Sequence, residues 1–321
     1  MPLNEFEIID YFFKQAYPAS QGNLTLGIGD DAAIINVPEG SELVISMDTL
    51  VAGVHFFETT SPEDIAYKSL AVNLSDMAAM GALPCWISLS LTLPDNDLDW
   101  IKKFSSSFNQ LAIEHSLILI GGDLTKGPLS ITVQIHGVVP KGKSLRRSGA
   151  KPGDSIYVTG SLGAATYALK NRIDSELFPS PTEKEVQRLN RPETRIKTGI
   201  ELRQLASSCI DISDGLLADL GHILKASNAG AEVKLSEIPY SDSLQNLDKA
   251  IAIELALTGG DDYELCFTTA NEIPDTVITE LASICPVHRI GIINNQESKL
   301  SFIDDEGEPY EIESTGYHHF E

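Results

Sequence analysis

Carboxylates set beside glycines recur along this chain. They stand as Gly27-Ile28-Gly29-Asp30-Asp31, Met47-Asp48, Gly121-Gly122-Asp123, Asp211-Ile212-Ser213-Asp214-Gly215 and Gly259-Gly260-Asp261-Asp262, with Asp76 in the run Asn73-Leu74-Ser75-Asp76. Taken singly, each reads more readily as a helix cap or a solvated turn than as a functional group. As a set they define a chemistry if they converge. Two like charges 4 Å apart repel by about 4 kcal/mol at an effective dielectric near 20. Gathered carboxylates therefore protonate or bind cations. Oxygen donors without His or Cys select hard ions, Mg²⁺ first, and Mg²⁺ held by a few carboxylates completes its octahedron with water and phosphate oxygens. The chemistry indicated is phosphoryl transfer.

The elements that must position these acids follow from the hydrophobic pattern. Residues 4–16 read as an amphipathic helix. The GIGDD turn leads into an apolar run, and 43–50 reads as a strand ending in Asp48. Ser61-Pro62-Glu63-Asp64 is a helix start, with an N-cap, Pro at the first position and acids in the first turn. Its apolar stripe, Ala66, Leu70, Leu74 and Met77, leaves Asp76 on the opposite side. A strand over 86–93, a helix over 97–115, a strand over 117–120 ending in Gly121-Gly122-Asp123 and a strand over 131–135 complete the first half. The Gly-, Lys-, Arg- and Pro-rich stretch 141–154 marks a boundary near Gly149, giving domains 1–149 and 150–321. The second half restarts with a strand over 155–159. Helices over 182–190 and 194–207 precede the CIDISDG turn, an amphipathic helix follows it, and a strand over 263–267 follows Asp261-Asp262. Mixed strand and helix order in both halves predicts an α/β or α+β protein of two domains.

Composition excludes several classes. With 46 acidic against 23 basic residues among 321, the net charge of −23 opposes nucleic acid or an anionic membrane as partner. No apolar run approaches the ~20 residues of a membrane span, and the N-terminal MPLNEFEIID lacks the basic and apolar regions of a signal peptide. Cys85, Cys209, Cys266 and Cys285 are scattered without a CxxC, as expected of reduced thiols in a cytoplasmic protein.

Two glycine-rich stretches imitate phosphate sites. Gly137 to Ser144 satisfies GxxxxGK[ST], but a P-loop needs a helix starting at Lys-Ser, and Gly149 and Pro152 forbid one. Arg146 and Arg147 of that stretch either clamp a nucleotide phosphate or sit on a solvated loop. Gly160-Ser161-Leu162-Gly163 is either an anion cradle or a close strand–helix packing. His318-His319 reads as surface.

The ordered set GIGDDAA, ISMDTLV, NLSDMAAMGA, GGDLT, LRRSGA, CIDISDGL, GGDDYELCF and GYHHF resembles the thiamine-monophosphate kinase family, within the ATP-binding superfamily related to aminoimidazole ribonucleotide synthetase. The resemblance covers nearly the whole chain. It implies a homodimer whose N-terminal mixed sheets pair into a barrel, with an N-terminal ATP/Mg-binding and dimerisation domain and a C-terminal α/β domain completing the active site. It implies conversion of ATP and thiamine monophosphate (TMP) to ADP and thiamine diphosphate, with no residue assigned as general base. It implies that Asp30, Ser46, Asp48, Asp76, Asp123, Asp211 and Asp214 hold several Mg²⁺ ions. Gly122, Asp123, Arg147 and Ser213 are the implied ATP contacts, and His55, Asp261 and Tyr317 the implied TMP contacts. Met47 stands where the family often has a metal-binding Thr, and Asp261 where a Glu is more usual. The alternatives are another ATP-dependent enzyme of the superfamily, against which the lack of a C-terminal or early reactive Cys counts, and a non-catalytic Mg²⁺/nucleotide sensor.

Overall fold

The computed structural model describes residues 3–17, 23–176 and 178–312. Tyr317, His318 and His319 lie outside them. The chain forms two compact units, Met1–Met77 with Ala82–Lys143, and Ala78–Gly81 with Ser144–Glu321. The division thus falls between Lys143 and Ser144, a few residues before Gly149.

The first unit runs α1 (Glu5–Ile8), β1 (Leu24–Leu26), β2 (Ile34–Ile35), β3 (Ser41–Val51), α2 (Pro62–Ala79), β4 (Leu83–Leu93), α3 (Leu98–Glu114), β5 (Ile118–Lys126) and β6 (Ser130–Pro140). Its four-stranded sheet has the order β3-β6-β4-β5, antiparallel except for the β4–β5 pair that α3 connects. The caps form where the side chains call for them. Ser61 Oγ accepts from Asp64 N at 3.1 Å, and Asp97 accepts from Asp99 N and Trp100 N. One face of the sheet buries Ile131, Val133, Ile135 and Ile87 in the alternation expected of a strand pair with a covered side.

Several expectations change here. The helix expected over 4–16 is a short α-turn followed by a π turn over Ile9–Phe13 and a 3₁₀ turn over Lys14–Ala16. The apolar run after Asp31 yields only a two-residue strand. α2 does not divide into a core side and a wet side. Lys68, Ser69, Asn73 and Ser75 are buried with its leucines, and Asp76 is half-buried, because packing surrounds the helix. Asp48 and Asp123 are within strands, not at their ends, since β3 continues to Val51 and β5 through Gly121-Gly122-Asp123 to Lys126.

The second unit runs β7 (Ser155–Thr159), α4 (Ala164–Ile173), α5 (Glu183–Asn190), α6 (Ile196–Leu202), β8 (Ala206–Ile212), α7 (Leu216–Ser227), β9 (Gly230–Lys234), α8 (Lys249–Thr258), β10 (Glu264–Thr269), α9 (Asp275–Ala282), β11 (Val287–Asn294), β12 (Leu300–Ile303) and β13 (Pro309–Tyr310). The helix expected over 194–207 stops at Leu202, because Ala206 onward pairs with β10. The seven-stranded sheet has the order β13-β12-β9-β11-β7-β10-β8, with β9–β12 its parallel pair. Its core joins Ile156, Val158, Ile210 and Ile212 of the sheet to Leu216, Leu220 and Ile223 of α7. Both units are α+β with mixed sheets.

Candidate active site

In the first unit a cleft of about 650 Å³ is lined by Gly29, Asp30, Asp31, Gly122, Asp123 and the N-terminal helical turns. Two local features build its floor. Asp30 Oδ1 accepts from the adjacent Asp31 N at 2.9 Å, and both acids are exposed. On β5 a register shift makes Ile120 the extra residue opposite Ile87 and Ser88, so that Gly121 and Gly122 follow a bulge. A Cβ at Gly122 would lie 1.8 Å from Leu89 O, and its φ is +154°. Glycine is required there by the approach of β4, and its exposed backbone opens the cleft beside Asp123.

β3 and α2 bring a second group together. Ser46 Oγ donates a short hydrogen bond to Asp76 Oδ2, joining the sheet to the helix. Asp48 shares the Ser46 face by strand alternation, whereas Met47 points to the other face and is 61% exposed. The Met47 side chain is therefore directed away from Ser46 and Asp48, and the position can offer them only its backbone oxygen. His55 lies in the loop after β3, with its Nδ1 accepting from Val51 N at 3.1 Å. The neutral ring consequently carries its proton on Nε2, a donor suited to a phosphate oxygen. Lys68 Nζ donates to His55 O at 3.4 Å from α2.

In the second unit the turn after β8 holds the remaining acids. Asp211 is buried near the end of β8, and Asp214 is half-buried in the turn that precedes α7. Asp219, in the first turn of α7, accepts from Ser213 N and Asp214 N, both at 3.0 Å. Burial raises the Asp219 carboxyl to about 7, and the charges of Asp211 and Asp214 push it the same way. Asp219 was not singled out from the sequence, where it reads as an ordinary first-turn acid of a helix. The Gly259–Tyr263 loop is laced to the same turn, with Asp261 N donating to Ser213 O at 3.0 Å and Tyr263 N to Ile212 O at 2.8 Å. Asp261 and Tyr263 have φ of +67° and +50°, and the Tyr263 hydroxyl donates to Asp261 Oδ1 at 3.2 Å. Left-handed backbone at two non-glycine residues is strain that the surroundings must hold. Arg147 is exposed at the edge of this group, its carbonyl accepting from Ser227 Oγ. Between them His222 is held below its ordinary value by burial and then by Arg147, against the pull of Asp214.

The other two phosphate-like stretches have different fates. Gly137–Pro140 lies in β6 and no helix starts at Ser144, so there is no P-loop. The amide of Gly163 is taken by the protein's own Asp262, which accepts from it with both oxygens at 2.9 and 3.1 Å. At Gly160 a Cβ would strike the Glu264 carboxylate. Packing, not anion binding, explains that turn. Glu264 itself is fully buried between Arg195, Arg188 and Thr159.

The candidate ligands are all oxygen donors, as a hard cation requires. Among the described residues no group of three or more His, Cys, Asp or Glu is gathered to hold a metal unaided.

Comparison with known proteins gives the family. Residues 29–139 match the family described as AIR synthase related protein, N-terminal domain, and residues 151–303 match its C-terminal domain. The thiamine-monophosphate kinase of Escherichia coli K12 is 47% identical over 325 residues, spanning 100% of this chain and 99% of that protein. The crystal structure of the Stenotrophomonas maltophilia K279a thiamine-monophosphate kinase superposes with a TM-score of 0.85 at 43% identity, covering 97% of this chain and 99% of the other. AaThiL complexed with AMPPCP and TMP superposes at 0.75 with 29% identity, covering 99% and 97%. The chain belongs to the AIR synthase-related proteins and, within them, to the thiamine-monophosphate kinase family.

Proposed function

We propose that this protein phosphorylates TMP to thiamine diphosphate at the expense of ATP, by direct in-line transfer. The end-to-end match to thiamine-monophosphate kinases carries the reading, and the AaThiL complex with an ATP analogue and TMP supports both substrates. A phosphate oxygen of TMP attacks the γ-phosphorus of ATP and ADP leaves. The monoester is already largely ionised at neutral pH, so no side chain need act as general base. Neutralising and aligning two anions is the main task.

Asp30, Ser46, Asp48, Asp76 and Asp123 of the first unit and Asp211 and Asp214 of the second are the oxygen ligands we assign to Mg²⁺. Bound there, Mg²⁺ supplies charge neutralisation along the phosphates and a template for in-line geometry. Ser46 fixes the Asp76 carboxylate through its hydrogen bond. Gly122 lets the nucleotide approach the backbone beside Asp123, and Arg147 and Ser213 complete the ATP contacts. His55 donates from Nε2 to the TMP phosphate, and Asp261, held by Ser213 and Tyr263, faces the same substrate. Tyr317 is assigned to stack on the thiazolium ring, whose charge an aromatic face attracts.

The apolar outer face of edge strand β3, where Ile45 is 53% and Met47 61% exposed, supports the homodimer with its paired sheets. No helix among the described residues is long and apolar enough to cross a membrane. Free cysteines, three of them buried, support a cytoplasmic location. The reading is tested by chromatography of ATP and TMP incubated with the protein. Thiamine diphosphate with stoichiometric ADP is expected in Mg²⁺ and neither product with chelator; ATP binding without thiamine diphosphate would move the assignment to a sister activity.

A further inference from the structure

The proposed reaction leaves one wall of the first unit's cleft unused. Phe6, Ile9, Asp10, Phe13 and Lys14 line that wall. Their spacing of three, four, seven and eight residues from Phe6 is that of one helical face. The π turn over Ile9–Phe13 and the 3₁₀ turn beginning at Lys14 carry this face along the cleft, and π turns recur at functional sites. Lys14 Nζ is 3.1 Å from Asp10 Oδ1 and stays 45% exposed. It also lies beside Gly29, where a Cβ would be 3.6 Å from it, one residue before Asp30.

Glu5, Asp10, Asp30, Asp31 and Asp123 also line this cleft, and Lys14 is its one basic lining residue among those described. A polyphosphate entering between these carboxylates meets repulsion that a fixed ammonium offsets. Among the described residues Asp10 is the ion-pair partner of Lys14, and an ammonium carries three N–H donors, enough to serve a phosphate as well. We propose that Lys14 binds a phosphate of ATP and that Phe6, Ile9 and Phe13 form the apolar wall for the base. The proposal rests on the kinase reading for the identity of the nucleotide.

The test is ATP binding by the full-length protein, measured by calorimetry without TMP, alongside steady-state kinetics. Lys14→Ala should weaken ATP binding about tenfold, or about 1.4 kcal/mol, and raise KM for ATP in step. KM for TMP should stay within twofold. Lys14→Arg should recover ATP affinity to within threefold of the parent. ATP affinity of Lys14→Ala within twofold of the parent would overturn the proposal, as would an equal rise in KM for TMP. If the parent binds ATP but makes no thiamine diphosphate, the kinase reading fails while calorimetry still decides the role of Lys14.

Discussion

Asp262 is buried at 1% exposure and spends both oxygens on Gly163 N, whereas its neighbour Asp261 is half-exposed and held toward the Ser213 turn. Adjacent carboxylates of one motif thus divide into a structural acid and a candidate substrate contact. The division yields a kinetic prediction. Asp261→Ala should raise KM for TMP about tenfold, the size of one lost charge-assisted hydrogen bond, with KM for ATP unchanged. Equal effects on both substrates would place Asp261 elsewhere. Asp48→Asn removes one negative oxygen ligand and should lower kcat at least about a hundredfold, the scale on which electrostatic groups act at a reacting phosphate. Thiamine diphosphate production near the parent rate would remove Asp48 from the set.

Elements decide what the acids can reach. Gly122 sits where β4 and β5 come too close for a Cβ, so Gly122→Ala should destabilise the protein by on the order of 3 kcal/mol in urea unfolding. A midpoint equal to the parent's would show that the sheet can yield. Asp262 gives a pH test. Burial raises its folded carboxyl to about 8, while the unfolded carboxyl ionises near 4. Between those values the folded state holds the extra proton, so stability falls as pH rises through that window. Asp262→Asn keeps an acceptor for Gly163 and removes the titration, so its melting temperature should fall less than the parent's between pH 5 and pH 8. Identical pH dependence in the two would contradict the assignment.

Much at this scale was readable beforehand. Ser61 announces its helix because capping is local chemistry, and the glycine–aspartate pairs announce the cleft and the β8 turn. Asp219 was not readable, because its two backbone donors lie in the preceding turn and only the fold directs them to it. The Glu264–Arg195–Arg188 group was not readable either, since its partners are 69 and 76 residues apart. The all-round burial of α2 and the continuation of β5 through two glycines are decided by packing and strand pairing, which override local preference.

For the whole molecule, the charge of −23 and the phosphate chemistry agree only if cations stand between the carboxylates and the substrates. The outer face of β3 makes a separate prediction. In sedimentation the protein should have twice its chain mass of 34.8 kDa, and Ile45→Lys should return it to one. An Ile45→Lys protein that stays at the parent mass would move the interface off β3. Transfer of the γ-phosphoryl group of ATP directly to TMP is measured with ATP labelled in the γ-phosphate, with Mg²⁺ present, by following where the label goes. Label is expected in the terminal phosphate of thiamine diphosphate, one per ADP formed and none when Mg²⁺ is chelated. Label released as free phosphate, with TMP unchanged, would contradict it.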